Sequence, residues 1–147
     1  MCKIKFILLI LIASFSSKPV ILTAQENPII MIVLDCSRSM QGDIHDNNKF
    51  QSAKLIITDL LENVKDFDYG LLTFGKNDSN NPTNIELEVI PYPENNSKIL
   101  ANLNQIQPNG QSPIGESIDF AGSVLKRGLK NFILLLSDGI ENSGSNA

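Results

Sequence analysis

Histidine is almost missing from this sequence: His45 is the single one in 147 residues. A Ser-His-Asp or Cys-His mechanism has to use it or be abandoned, and it lies in the polar stretch 41–48, where a solvated loop position is expected rather than a base or a ligand. Cysteine is scarce too, with only Cys2 and Cys36. Because Cys2 falls in a leader expected to be removed, no internal disulfide framework is available and stability has to come from an apolar core. Basic residues are outnumbered, 12 Lys and Arg against 16 Asp and Glu, which gives a formal charge of -4 and a pI near 4.9. Nucleic-acid binding rests on clustered Lys and Arg, so a nucleic-acid partner is not expected. No Gly-rich phosphate loop follows the first apolar run, Ser137-Asp138-Gly139 lacks the G-x-S-x-G setting of a nucleophile elbow, and no internal repeat is visible.

What is present is the composition of one globular domain, 42% hydrophobic and 19% charged. Lys3 and Lys5 precede an apolar run from Phe6 to Phe15 broken only by Ser14, the layout of a signal peptide. A spanning helix needs about 20 apolar residues, and here Ser16, Ser17 and Lys18 intervene before Val20–Leu22. Residues 1–24 are therefore expected to be a signal peptide cut after Ala24, leaving 25–147 as the domain. The protein is expected outside the cytoplasm: secreted, periplasmic or at the cell surface. Membrane contact is expected only if the leader stays uncleaved, and neither cysteine has the small-residue context of a lipoprotein site.

Residues 28–34 (PIIMIVL) form a continuous apolar run ending at Asp35, as in a parallel strand covered on both faces. From Lys49, the residues Phe50, Ala53, Ile56, Ile57, Leu60, Leu61 and Val64 recur at helical spacing. A strand is expected at 69–74 and a half-exposed edge strand at 85–90, where Ile85, Leu87 and Val89 alternate with Glu86, Glu88 and Ile90; the polar stretch 75–84 joins them as a loop. A second helix is expected over 97–106. A third opens at Pro113 with Ile114, Ile118, Ala121, Val124 and Leu125 on one side, and 131–137 (NFILLLS) is a further apolar strand. Strands alternating with amphipathic helices imply a three-layer α/β domain, Rossmann-like and doubly wound, with a mostly parallel sheet.

Asp35, Ser37 and Ser39 make a D-x-S-x-S spacing directly after the first strand, where ligands collect in open α/β sheets. A tight loop can turn alternate side chains toward one point, and a carboxylate with two hydroxyls is a set of hard oxygen donors that suits Mg²⁺, Mn²⁺ or Ca²⁺. Asp and Ser in such a place also serve as helix caps and turn formers. The balance shifts toward a metal site because Ser112 precedes one helix and Asp138 follows another buried strand.

The three blocks MIVLDCSRSM, NGQSPIGESIDFAG and FILLLSDG, in that order, resemble the von Willebrand factor A domain family with its metal-ion-dependent adhesion site, over about residues 28–142. The resemblance implies that Ser37 and Ser39 hold the metal directly and that Asp35 and Asp138 act directly or through water. Ser112 stands where the family has Thr. It implies Mg²⁺ as the favoured cation and a protein partner that offers an acidic side chain, in adhesion or complex assembly rather than catalysis. It also implies a strand order 3-2-1-4-5-6, of which this chain would lack the last two strand-helix units, leaving 132–136 as an apolar edge. A non-functional or partner-completed fragment is the alternative. A phosphatase of the haloacid dehalogenase type is the enzymatic competitor, but its second Asp is Ser37 here, which removes the acid/base carboxylate. Cys36 is expected to point away from the ligands, and Arg38, where many relatives have Gly, to face solvent.

Overall fold

The computed structural model describes residues 27–44, 46–76, 84–125, 128 and 130–139. The expected signal peptide, His45 and most of the 75–84 loop lie outside these.

A four-stranded sheet of β1 (Ile29–Asp35), β2 (Asp68–Phe74), β3 (Ile85–Tyr92) and β4 (Asn131–Leu136) runs in the order β3-β2-β1-β4. β1 is central and pairs parallel with both β2 and β4, while β3 runs antiparallel to β2. Three helices complete the layers: α1 (Lys49–Asn63), α2 (Asn96–Gln105) and α3 (Ile114–Val124). The fold class and strand order agree with expectation for the described strands.

The alternation of β1 divides the core. Ile32, Leu34 and Cys36 pack on one face with Phe50, Ala53, Ile57 and Leu61 of α1 and Ile99 and Leu103 of α2. Met31 and Val33 pack on the other with Leu72, Phe74 and Ala121 of α3. A strand clothed on both sides must be apolar at every position, which is why this run does not alternate in sequence. Asn48 starts α1 by accepting a hydrogen bond from the Gln51 N–H at 2.7 Å.

Three expectations need correction. Ile56 does not join the buried face of α1 but is 53% exposed. Residues 53, 57 and 61 form one stripe at four-residue spacing, and residue 56 lies about 100° around the helix from 57. Ile118 of α3 is likewise exposed, its place on the buried face taken by Ser117, whose hydroxyl donates to the Pro113 carbonyl at 2.6 Å. Finally, Ile85, Leu87 and Val89 do not share a face. Leu71 pairs with Val89 while its neighbour Leu72 pairs with Leu87, so Glu88 is an extra residue in β3 and Val89 crosses to the α1/α2 face. Such a bulge re-aims the side chain at its centre. Glu88 accepts from the Thr73 hydroxyl at 2.7 Å and from Lys76.

Between α2 and α3 the chain passes over the carboxyl ends of β1 and β2, from one face of the sheet to the other. The Gly110 N–H donates to the Gly75 carbonyl at 2.7 Å, and the Arg38 N–H to the Gly110 carbonyl at 3.0 Å. Gly75 is required there. Its φ is +75°, and a Cβ would clash with the Gln111 carbonyl oxygen and lie 3.0 Å from the Ser37 nitrogen. This crossing brings Ser112 to the end of β1.

Candidate functional site

Asp35 is the last residue of β1 and is fully buried. By alternation it follows Met31 and Val33 onto the α3 side. Its Oδ1 accepts from the Ser37 N–H at 2.8 Å. Its Oδ2 accepts from the hydroxyls of Ser112 at 2.9 Å and Ser137 at 2.7 Å. The donors around this carboxylate are neutral. A carboxylate taken out of water among neutral donors alone is a place where a cation nearby is favourable.

Asp138 lies one residue further along the β4 exit, on the other side of the loop. Its Oδ1 accepts from the Ser39 hydroxyl at 3.1 Å and its Oδ2 pairs with the Lys49 ammonium at 2.8 Å. Ser37 and Ser39 join the two halves, their hydroxyl oxygens 3.0 Å apart. Every residue expected at the site, Asp35, Ser37, Ser39, Ser112 and Asp138, therefore belongs to one connected hydrogen-bonded set at the carboxyl edge of the sheet.

Two members were missed in the sequence. Ser137 has a signal in retrospect: β1 and β4 pair Leu34 with Leu136, so the next residues along, Asp35 and Ser137, stand side by side. Lys49 has none, because its role depends on where the first turn of α1 sits relative to Asp138. The stretch after Ser37, read as loop, also holds a short 3₁₀ helix, Arg38–Gln41, with Met40 buried beneath it. That turn lifts Ser39 back over Ser37.

Cys36 behaves as expected. It packs with the α1/α2 cluster, and its thiol donates to the Leu34 carbonyl at 3.6 Å. Burial, reinforced by the Asp35 charge, pushes the thiol well above its ordinary range, so it is neither nucleophile nor metal ligand. Arg38 is exposed.

The set fits a hard divalent ion. It contains two carboxylates and three hydroxyls from the expected residues, and among the described residues no cluster of three or more His, Cys, Asp or Glu side chains is placed to hold a metal. Two carboxylates among hydroxyls are the oxygen donors that Mg²⁺, Mn²⁺ or Ca²⁺ would take, with water completing the shell.

A polar hollow of about 690 Å³ lies on the α2 side, lined among others by Gln41, Lys76, Glu88, Asn102 and Asn109, the last of which donates its N–H to the Cys36 carbonyl. Burial works to lower the Lys76 pKa, and hydrogen bonds to Glu86 and Glu88 outweigh it, leaving the pKa raised and the ammonium charged. Among the described residues no helix is long and apolar enough to cross a membrane.

Comparison with known proteins agrees with this architecture. The sequence model of the von Willebrand factor type A domain matches residues 30–141. Among solved structures, an aerotolerance-related membrane protein from Bacteroides fragilis, carrying multiple mutations to serines, superposes with a TM-score of 0.62 at 21% identity, covering 74% of this chain and 53% of that one. The conserved hypothetical protein BatB from Bacteroides thetaiotaomicron gives 0.62 at 19%, with 74% and 52% covered. The SpRpn10 VWA domain gives 0.51 at 19%, with 69% and 52% covered. This chain thus spans about half the length of these solved relatives, and at such identities the likeness is one of fold. No curated protein matches. By the family match over most of its length and the strand order that accompanies it, the chain belongs to the von Willebrand factor type A domain family.

Proposed function

We propose that the chain is an exported, divalent-cation-dependent protein-binding module, its leader being residues 1–24 and its cation Mg²⁺, with Mn²⁺ or Ca²⁺ as substitutes. Domains of this family are generally interaction modules rather than enzymes. Ser37, Ser39 and Ser112 would hold the ion with their hydroxyls, and Asp35 and Asp138 directly or through water. When bound, the ion supplies an electron-poor centre that accepts a carboxylate from a partner.

The observation that carries this reading is the fully buried Asp35 carboxylate, both oxygens engaged, tied through Ser37 and Ser39 to a second carboxylate. A nucleophile needs an oxygen open to substrate. Asp35 is fully buried and fixed by the Ser37 N–H and the Ser112 and Ser137 hydroxyls, which favours a positioning role over attack and counts against the phosphatase alternative.

Water-proton relaxation with Mn²⁺ tests this. Wild type enhances the relaxation rate, as an ion retaining exchangeable water does, and Asp35→Asn loses the enhancement. A Gly-Asp-Gly peptide then lowers it while Gly-Asn-Gly does not. Metal-dependent turnover of an aryl phosphate, abolished in Asp35→Asn, would instead establish the enzymatic reading.

A further inference from the structure

We infer that Lys49 is a tethered cation that competes with the divalent ion for Asp138, so that the site exchanges between a lysine-held and a metal-held arrangement. The inference rests on the cation-site reading above and adds a residue that acts against the metal.

Lys49 is the first residue of α1, and its Nζ lies 2.8 Å from Asp138 Oδ2. A helix N-terminus carries partial positive charge and disfavours a cation in its first turn. The turn contains no acidic residue to offset that, so the compensation comes from Asp138, across the loop. The carboxylate is only 6% exposed, whereas the lysine side chain is 32% exposed. One partner is fixed and the other has a route to water.

The stem of Lys49 runs past Gly42, where a Cβ would lie 3.7 Å from its Cε, and its backbone N–H donates to the Gly42 carbonyl at 2.9 Å. Lysine presents a compact, strongly hydrated charge on a flexible stem, able to leave a carboxylate without moving the backbone. The other carboxylate contrasts with this: Asp35 has three neutral donors, whereas Asp138 meets an ammonium as well as the Ser39 hydroxyl.

The pairing has two opposed consequences. It holds the β4 exit to α1 through the Lys49–Asp138 contact, and it reduces the negative charge that an incoming divalent ion meets from two carboxylates to one. An ion that draws on Asp138 must expel the ammonium or bind beside it against like-charge repulsion. Lys49 thus sets the concentration at which the cation binds.

Calorimetric titration of the full chain with Mn²⁺ and Mg²⁺, in wild type, Lys49→Met and Lys49→Arg, tests the inference. Lys49→Met keeps the apolar stem and removes the charge. Its affinity for either ion is expected to rise about tenfold, while its melting temperature without added metal falls by about 2–4 °C. Lys49→Arg keeps wild-type affinity. In an Asp138→Asn background the Lys49→Met gain disappears, which separates competition for Asp138 from a general field effect. Wild-type binding with Lys49→Met equal or weaker overturns the competition and leaves the cation site standing. No binding in any variant overturns the cation site, and this inference with it.

Discussion

The two flanks of the sheet differ sharply. On the β2 side, Leu71, Leu72 and Phe74 are fully buried between helices. On the β4 side, Phe132 is 51% and Ile133 38% exposed, next to an α3 that also leaves Ile118 and Phe120 in solvent. The site straddles this divide. Asp35, Ser37 and Ser112 are fully buried and sit on backbone fixed by the Gly75–Gly110–Arg38 ladder, while Ser39, Ser137 and Asp138 are only partly buried and are held through side chains. One half of the site is therefore preorganised by packing. The other half depends on what neutralises Asp138.

The largest expected contrast is in stability. Leu72→Ala, in the closed flank, should cost about 3 kcal/mol by urea unfolding, and Phe132→Ala, already half in water, less than about 1 kcal/mol. Equal losses would mean that the β4 flank is covered in solution. Gly75→Ala comes next, at about 2 kcal/mol, because it combines a left-handed backbone with a contact against the crossing segment. Since that segment delivers Ser112, the same variant should weaken Mg²⁺ binding, whereas Phe132→Ala should not. Asn48→Ala should cost about 1 kcal/mol through loss of the α1 cap and loosen Lys49 at the same time.

The smallest effect concerns Cys36. Its raised pKa means that the native state keeps the thiol protonated, so its contribution to stability is full below the ordinary thiol range and is lost as pH rises above it. Alkylation at mildly alkaline pH should follow global unfolding, and rapid labelling of the native protein would show that the closed flank opens locally.

This division also explains what could be read from the sequence. β1 was legible because a strand buried on both faces must be apolar throughout, and D-x-S-x-S at its end marked three residues that the structure places in one hydrogen-bonded set. Ser112 and Asp138 were legible from their places beside a helix start and a strand end. The bulge at Glu88 was not, since a period-two pattern looks the same whether or not the strand flips in its middle. Ile56 and Ile118 were misplaced because helical spacing selects a broad stripe, and only tertiary contact decides which edge of it meets the sheet. Lys49 escaped because ion pairing across 89 positions leaves no local trace.

Thermal unfolding of the full chain across a Mg²⁺ series tests the central claim most directly. Preferential binding to the folded state at 100 times Kd stabilises by about 2.7 kcal/mol, so the wild-type melting temperature should climb steadily with Mg²⁺ while Asp35→Ala stays flat. A flat wild type, or an equal climb in Asp35→Ala, would contradict the assignment of Asp35, Ser37, Ser39, Ser112 and Asp138 as a cation site.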